Sequence, residues 1–419
     1  MTNPYAGSEA AAHAARYDDI WLVAGRRTPF ADYNGPLRDA SPTDLGIFAA
    51  RALFDRSGIP ATEIDAIVGG NMAQASFDTY YLPRHIGLYA GVNPNVPALL
   101  VQRLCGTGFE TILAAADQIT LGKAKVALCV GTESMSRNPI AAYTHRAGFR
   151  MGQVDFRDFL WEATKDTAPG ASMGDTAENL AKRYGISREE VDRFAAQSFA
   201  RACAAWESGY FADEVAPVVN AKWELPGYSP RGLKLADRVE SVERDGHVRP
   251  TPLEALQKLK PAFGGVQTGG NSSAIVDGAA AVIVAHGDWV RAHGVKPLAR
   301  IVAGAAVAVP PEIMGIGPAP AIRAAAARAG LRVGDLGRVE INEAFGAQYL
   351  ACEQELELDR ERCNVHGGAI AIGHPLGASG VRLTTTVARE LREAGLHYGI
   401  SSACAGGGQG VAIVIENVG

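Results

Sequence analysis

SPTDLGIFAARALFDRSGIPATEIDAIVGGNMAQ, residues 41–74, and GPAPAIRAAAARAGLRVGDLGRVEINEAFGAQ, residues 317–348, follow one pattern. In the first stretch Ser41 is a good helix N-cap and a proline suits the first helical position. Gly58 then ends the helix, since glycine is the usual residue just past a helix C-terminus. The apolar run that follows predicts a short strand, which ends near Asn71.

The second stretch repeats these signals in the same order. Pro320 is expected to open a helix and Gly330 to end it, and the strand Arg338–Ile341 leads directly to Asn342. From the closing glycine to the asparagine there are 13 residues in the first copy and 12 in the second. This agreement in order and spacing indicates an internal duplication.

The two copies stay in step further along the chain. Cys105 lies 34 residues after Asn71, and His374 lies 32 residues after Asn342. Each of these two residues stands where a helix is expected to start, and each helix is followed by an apolar strand, 125–130 and 398–403. Helices alternating with strands predict α/β layers in which helices cover sheets. The duplication therefore places Cys105 and His374 at equivalent helix starts, where both can face one shared site.

The duplication also suggests how the chain is divided. We expect a flexible extension, 1–18, an N-terminal half, 19–137 with completion by about 276–296, an inserted segment, 138–275, and a C-terminal half, 297–419. The insertion contains one predicted helical stretch, 176–206, with a capping-box sequence at 187–190. Insertions over an α/β core often serve as substrate lids, although a structural excursion or an oligomer contact is an alternative.

Composition excludes several functional classes. Of the 419 residues 47% are hydrophobic and 20% are charged, as in ordinary soluble globular proteins. The formal net charge of −5 does not favour nucleic-acid binding, and no apolar run reaches the roughly 20 residues that span a bilayer. The six cysteines form no CxxC pair and the nine histidines show no ligand spacing, so neither a metal site nor a disulfide framework is expected. With no signal peptide recognisable at the start, we expect a cytoplasmic protein without a membrane anchor.

Four motifs in this order resemble the thiolase family: RLCGTG at Cys105, NEAFGAQ at Asn342, GGAIAIGHPLGASG at His374 and CAGGGQG at Cys404. MGDTAENLAKRYGISREE in the insertion and MGIGP in the C-terminal half add to the resemblance, which covers nearly the whole chain. It implies a duplicated αβαβα fold with an inserted loop domain, assembled as a homodimer or homotetramer. It also implies an acyltransferase of fatty-acid metabolism and β-oxidation that acts on acyl-CoA, with coenzyme A as co-substrate and no permanently bound cofactor.

Each catalytic candidate can also be judged from its chemistry. Cys105 is expected to be the nucleophile that carries the acyl group, and His374 the base that takes its proton. Cys404, the second thiol, is expected to move the proton at the α-carbon. Gly406 and the Cys105 amide are expected to form an oxyanion hole, and Asn342 to position a water. Taken alone, each has a plainer interpretation as a small buried thiol, a core histidine or a turn residue.

The resemblance also assigns residues to the coenzyme A and acyl-chain site. These are Ser273, Arg249, Phe263, Met173, Met314, Ala344 and Phe345. The chain departs from the family pattern at Ser172, at Gly346 and in the run GGVQTGG, 264–270. Since all three departures lie near the expected acyl site, acyl chain length and identity stay open.

Three other functions remain to be weighed. A decarboxylating condensing enzyme of the same superfamily would lack the second cysteine, so Cys404 counts against it. A papain-like protease also uses Cys, His and Asn, but the flanking sequences here do not resemble one. A non-catalytic acyl-CoA- or lipid-binding protein would not need the full set of candidates. The favoured direction, cleavage or condensation, follows from metabolite ratios and is not set by these residues.

Overall fold

A computed structural model describes residues 3–74, 76–143 and 145–419. Its central strands, β1 to β9, are His13–Arg27, Ala66–Gly70, Ala98–Val101, Val126–Glu133, Val276–His286, Ala299–Ala308, Arg338–Ile341, Tyr398–Ala405 and Gln409–Glu416. Its α-helices, α1 to α13, are Ala6–Ala10, Pro42–Ser57, Leu82–Ala90, Thr107–Thr120, Phe159–Ala163, Met173–Tyr184, Arg188–Glu207, Leu253–Gln257, Gly287–Ala292, Pro318–Ala329, Gly346–Leu356, Ala369–Ile372 and Leu376–Ala394.

Shorter elements complete the described chain. The 3₁₀ turns are Ala61–Glu63, Thr79–Tyr81, Met135–Arg137, His145–Ala147, Tyr210–Asp213, Pro311–Ile316, Val333–Asp335 and Arg360–Arg362. The insertion adds four antiparallel strand pairs: Ile140–Ala142 with Phe156–Asp158, Lys165–Asp166 with Ala171–Ser172, Val218–Val219 with Ser241–Val242, and Ala221–Trp223 with Arg231–Leu233. One further short strand, Ala31–Asp32, pairs with β5.

The nine central strands form one hydrogen-bonded path in the order β7-β8-β9-β6-β1-β5-β4-β2-β3. In the N-terminal half β2 runs parallel to β4, and β4, β5 and β1 follow as antiparallel neighbours. In the C-terminal half β7 runs parallel to β8, and β8, β9 and β6 follow in the same way. The duplication predicted from the sequence is therefore present for four strands of each half, and β3 is an additional strand at the N-terminal edge. The long strand β1 joins the halves by pairing with both β5 and β6.

Helices cover both halves and also lie between them. α2 and α3 pack on the outside of the N-terminal strands, and α10 packs on the outside of the C-terminal strands. α4 and α13 lie against each other between the halves, and α13 contacts β4 on one side and β8 on the other. These are the five layers of the predicted αβαβα fold, which the structure confirms.

The helix signals in the duplicated segments are nearly all present. Ser41 accepts a hydrogen bond from the Asp44 backbone N–H at 3.0 Å, as an N-cap does. Gly58 and Gly330 have φ values of 69° and 79°, so each ends its helix in the left-handed conformation that glycine adopts without strain. One boundary was wrong: α10 begins at Pro318, because two prolines are accommodated in its first turn.

The insertion contains two long helices where a single stretch, 176–206, was predicted. α6 ends at Gly185, which takes φ 66°, and α7 begins after the N-cap Ser187. The predicted capping box is present, with the Glu190 carboxylate accepting from the Ser187 N–H at 2.7 Å, but it opens a new helix. The glycine was the signal that should have divided the stretch.

The N-terminal extension also differs from expectation, since regular structure begins well before residue 19. β1 starts at His13 and pairs with β6 from that residue onward. The Tyr17 hydroxyl donates to Asp117 at 2.8 Å, and the buried Tyr5 lies 3.1 Å from the Tyr184 hydroxyl. Strand pairing and two buried tyrosines thus hold most of the segment, 1–18, that was expected to be flexible. Among the described helices none combines the length and apolarity needed to cross a bilayer.

α4 and α13 approach each other closely because they meet at glycines. A Cβ placed on Gly380 would lie 2.2 Å from the backbone nitrogen of Phe109, and one on Gly108 would lie 2.7 Å from the backbone nitrogens of Gly380 and Val381. A Cβ on Gly377 would lie 2.5 Å from a carbonyl of β4. Such contacts with backbone atoms cannot be relieved by rotating a side chain, so only glycine permits this crossing.

Gly380→Ala should therefore destabilise the protein markedly. Overpacking commonly costs about 1–3 kcal/mol, and contact with a backbone atom leads us to expect at least the upper value. Thermal unfolding measures the effect. The matched control is Gly334→Ala, since a Cβ at Gly334 has no atom within 4 Å. Equal melting temperatures for the two variants would show that the crossing tolerates a methyl group.

Candidate active site

The predicted nucleophile stands in a tight turn just before α4. The Gly106 N–H donates to the Arg103 carbonyl at 2.8 Å, and the Thr107 hydroxyl donates to the Leu104 carbonyl at 2.6 Å. Leu104 has φ 49°, in the left-handed region that side chains such as leucine rarely adopt. Non-glycine residues in this conformation are concentrated at functional sites. The turn presents Cys105 at the start of the helix.

The Cys105 side chain receives backbone donors from both halves of the chain. The N–H groups of Gly406 and of Cys105 itself act on the sulfur and oppose the rise of its pKa. Burial dominates, however, and raises the pKa of the Cys105 thiol to about 11. The thiol is therefore protonated at rest, with two N–H donors already directed at its position.

His374 is held as a neutral imidazole with a defined tautomer. Its Nδ1 lies 2.6 Å from the Ser379 hydroxyl, which in turn donates to the Pro375 carbonyl at 3.1 Å. Because the hydroxyl proton is used there, Nδ1 must be the donor, and Nε2 is left as the basic nitrogen. Burial, followed by the nearby Arg382 charge, lowers the pKa of His374 to about 3.

Asn342 stands at the carboxyl end of β7 and faces this imidazole. Its Nδ2 lies 3.3 Å from His374 Nε2, and its backbone N–H donates to the Ser402 carbonyl at 2.9 Å. Its Oδ1 is buried and has no hydrogen-bond partner among the described residues. The side chain can therefore accept one more hydrogen bond next to the imidazole, as the predicted water-positioning role requires.

Burial, followed by the charge of the nearby Cys105, raises the pKa of Cys404 well above its ordinary value. Around Cys404 the structure collects an apolar cluster of residues predicted for the substrate site, Met314, Ala344, Met173 and Phe345. Phe263 joins it through an edge-on contact with the Phe345 ring, with centroids 6.2 Å apart. The cluster brings together five of the seven predicted residues.

The remaining two residues predicted for the substrate site, Ser273 and Arg249, differ in whether they lie near the apolar cluster. The backbone N–H of Ser273 donates to the Ala344 carbonyl at 3.0 Å, and the next residue, Ala274, accepts from the His374 N–H at 3.0 Å. Ser273 therefore lies beside the cluster. Arg249 is exposed, and its guanidinium is 3.4 Å from His247. No described contact brings Arg249 to the cluster, so its assignment rests on the family resemblance alone.

A cleft of about 270 Å³ opens at Cys105. Its lining combines parts of both halves and of the insertion: Met72, Leu104, Cys105, Ala163, Thr164, Lys165, Asp166, Thr167, Met173, Leu376, Gly406 and Gly407. Most of these side chains are apolar. The two charged ones, Lys165 and Asp166, belong to the insertion. The insertion thus forms one wall of the cleft, as expected of a substrate lid.

Two residues that shape the site were missed from the sequence. Ser379 fixes the tautomer of His374, and its position within one or two turns of the histidine on a helix was the available signal. Glu133 accepts hydrogen bonds from Asn71, from the Met72 and Ala73 N–H groups and from the Gly377 N–H at the start of α13. Burial raises the pKa of Glu133 to about 7. A charged residue that ends an otherwise uncharged strand could have marked it.

In a duplicated α/β fold, a thiol at a cleft that is lined also by the chain neighbours of a second thiol and of a neutral imidazole is typical of the cysteine-dependent acyltransferase class of enzymes. Comparison with known protein families shows which family within this class the chain belongs to. Residues 20–288 match the family described as "Thiolase, N-terminal domain", and residues 295–417 match "Thiolase, C-terminal domain". The chain belongs to the thiolase family.

Known proteins are similar along their whole lengths. The chain is 45% identical to the "3-ketoacyl-CoA thiolase, mitochondrial" of Homo sapiens over 402 residues, which cover 95% of this chain and 98% of that protein. It is 39% identical to "Beta-ketothiolase BktB" of Cupriavidus necator, over 96% of this chain and 99% of that one. The crystal structure of the human mitochondrial enzyme in complex with CoA superposes with a TM-score of 0.89 at 44% identity, over 96% of this chain and 98% of that one.

Burial predicts which thiols react with an alkylating agent. Cys105 and Cys203 are partly exposed, whereas the other four cysteines are buried. Brief treatment with iodoacetamide should label these two, as read by mass spectrometry of peptides. Because the pKa of Cys105 lies near 11, its labelling rate should rise by roughly tenfold per pH unit between pH 7 and 9. A rate that is already constant above pH 7 would contradict a raised pKa, and early labelling of Cys404 would contradict its burial.

Proposed function

We propose that this protein is an acyl-CoA:CoA acyltransferase that cleaves 3-ketoacyl-CoA with coenzyme A, or condenses two acyl-CoA molecules, through an acyl group on Cys105. The observation that carries the proposal is the cleft at Cys105, whose lining includes Leu376, two residues after His374, and Gly406, two residues after Cys404. The human relative is named a 3-ketoacyl-CoA thiolase and the bacterial relative a beta-ketothiolase, and these names support an acyltransferase role in fatty-acid β-oxidation.

In the cleavage direction the Cys105 sulfur attacks the 3-keto carbonyl carbon while its proton passes to His374 Nε2. The bond between C2 and C3 then breaks, the acyl group stays on Cys105, and the two-carbon unit leaves as a thioester carbanion. Cys404 donates a proton to that carbanion, which completes acetyl-CoA. The proton held by His374 then restores the Cys404 thiol, which leaves the imidazole neutral again. His374 takes the proton of the coenzyme A thiol as that sulfur attacks the acyl-Cys105 carbonyl. The bond between the acyl carbon and the Cys105 sulfur breaks, the proton passes from His374 to that sulfur, and acyl-CoA leaves with Cys105 regenerated.

Two oxyanions form along this path and two groups of donors suit them. The N–H groups of Gly406 and Cys105 point at the sulfur position and suit the oxyanion on the acyl-Cys105 carbon. Asn342 and the His374 imidazole suit the thioester oxygen of the carbanion, with a water bound to the buried Asn342 Oδ1. The N–H groups of Gly406 and Cys105 are fixed before substrate arrives, which is the arrangement that stabilises a transition state most effectively, whereas His374 Nε2 becomes a donor only after it has taken the Cys105 proton.

The acyl chain is proposed to lie in the apolar part of the cleft and the coenzyme in its outer part. Met72, Leu104 and Leu376 provide apolar surface next to Cys105. Met173, Phe263 and Phe345 lie on the other side, near Cys404. The coenzyme is a co-substrate in this scheme, and the chemistry needs no resident cofactor.

The chain is further proposed to form a homodimer or homotetramer in the cytoplasm. Exposed aromatic side chains, among them Phe77 and Tyr80, stand before α3, which packs on the edge strand β3. Light scattering measures the assembly.

All six cysteines are free, as is usual for proteins in reducing compartments such as the cytoplasm. Since the human relative is named as mitochondrial, cell fractionation has to separate cytosol from organelles.

A thiolysis assay with 3-ketoacyl-CoA esters of increasing length tests the function, with acetyl-CoA condensation run alongside. We expect thiolysis of at least one ester, with parallel initial-rate lines, because Cys105 is acylated before coenzyme A attacks. Acyl label should be recovered on the Cys105 peptide. Intersecting lines, or label that never reaches Cys105, would contradict the acyl-cysteine intermediate.

The two thiols should have separable roles. Cys105→Ser should abolish exchange of coenzyme A into acetyl-CoA, since an alcohol is far less acidic than a thiol. Cys404→Ser should retain this exchange, which needs only acylation of Cys105, but lose full thiolysis by roughly 10²–10⁴-fold, as expected for a general acid–base group. Cys203→Ser is the matched control and should affect neither. Equal loss of exchange and thiolysis in folded Cys404→Ser would contradict its role in proton transfer.

A further inference from the structure

Behind the catalytic histidine lies a buried ion pair that the proposed chemistry does not use. Arg382 on α13 and Glu340 on β7 have side chains that are at most 1% exposed, and Nη1 of the first lies 3.4 Å from Oε2 of the second. The pair connects two catalytic elements. Glu340 is two residues before Asn342 on β7, and Arg382 is eight residues after His374, along the helix that begins behind it.

Stability alone does not explain this pair. Arg382 Nε and Nη2 and Glu340 Oε1 have no hydrogen-bond partner among the described residues. A buried ion pair with unsatisfied atoms pays a desolvation cost that its attraction does not recover, and apolar residues of similar volume often serve stability as well or better. Unsatisfied buried groups in a native protein call for an explanation.

A second buried arginine shows what a purely structural pair looks like. Arg27 donates to Glu214 at 2.5 Å and to both carboxylate oxygens of Asp245 at 2.6 and 2.9 Å. Its bonds join β1 to the insertion, far along the chain from the catalytic residues. Compared with this arginine, Arg382 is held loosely, yet it stands directly between the elements that carry His374 and Asn342.

The charge of Arg382 also acts on the catalytic base. After burial, Arg382 is the group that lowers the pKa of His374. Burial, followed by the carboxylates of Glu390, Glu343 and Glu214, raises the pKa of Glu340 well above its ordinary range, and the Arg382 charge opposes that rise. The arginine therefore provides positive charge both to a crowded group of buried carboxylates and to the back of the imidazole.

We propose that Arg382 is a positioning residue for catalysis: its contact with Glu340 holds β7 and α13 in the register that brings Asn342 Nδ2 to 3.3 Å from His374 Nε2. This inference rests on the proposed function. The residue touches neither substrate nor reacting atoms. It acts through the spacing of the two side chains that handle the thiol proton and the thioester oxygen, and small misplacements of such groups cost about 10²-fold in rate.

The test compares four variants with the wild type in the exchange of coenzyme A into acetyl-CoA. These are Arg382→Met, the double variant Arg382→Met/Glu340→Met, Arg382→Lys, and Arg392→Met as a matched control. Arg392 is on the same helix, about 15 Å further along, and donates only to the Pro297 and Leu298 carbonyls. Melting temperature is measured for every variant, so that loss of folding is seen separately from loss of rate.

We expect Arg382→Met to lower kcat by roughly 10–100-fold with KM for acetyl-CoA within about twofold of the wild type. The double variant should regain the melting temperature, because no unpaired charge remains buried, but not kcat. Arg382→Lys should recover part of kcat, and Arg392→Met should keep all of it. Full kcat in the folded double variant, or in folded Arg382→Met, would overturn the proposal. Absence of exchange in the wild type would instead contradict the proposed function.

Discussion

The contact between α4 and α13 is the constraint on which the rest of the site depends. The two helices come from different halves of the duplicated chain, and their backbones touch at Gly108 and Gly380 because neither residue has a Cβ. Glycine is a poor helix former, so each helix is locally less stable at the residue that makes the close crossing possible. The gain is geometric. With backbones in contact, the starts of the two helices lie at one cleft, which Cys105 and Leu376 line from opposite halves of the fold.

The halves match in topology but not in chemistry. Register makes Asn71 the counterpart of Asn342, since each follows the last paired residue of an equivalent strand, and it makes Glu133 the counterpart of Cys404. In the N-terminal half the Asn71 amide donates to Glu133, whose other bonds tie this loop to the start of α13. In the C-terminal half a thiol replaces the carboxylate, and the Asn342 amide turns to His374 instead. The polar groups of the N-terminal half are thus used in hydrogen bonds that support the site. In the C-terminal half Asn342 Oδ1 has no partner among the described residues and is available to bind water or substrate.

The sequence predicted the duplication, its helix caps and strand ends, and the placement of Asn342 beside His374, because those signals are local or repeat at a fixed spacing. It did not predict the start of β1 at His13, since that segment shows no strand pattern of its own and gains its order by pairing with a strand nearly 300 residues later. It missed Gly185 as a helix end because the helical pattern on either side continues through it. Ser379 and Glu133 were missed for a related reason: their roles depend on partners that only the fold brings near.

Burial gives the site its chemical character. It raises the pKa of Cys105 to about 11 and lowers that of His374 to about 3, so both groups are neutral before substrate binds. In the proposed reaction, proton transfer from the Cys105 sulfur to His374 Nε2 therefore accompanies attack on the carbonyl. Charge then appears on the carbonyl oxygen, at the moment when the fixed N–H groups of Gly406 and Cys105 can stabilise it. Water-exclusion, which makes ionisation unfavourable at rest, strengthens those same hydrogen bonds in the transition state.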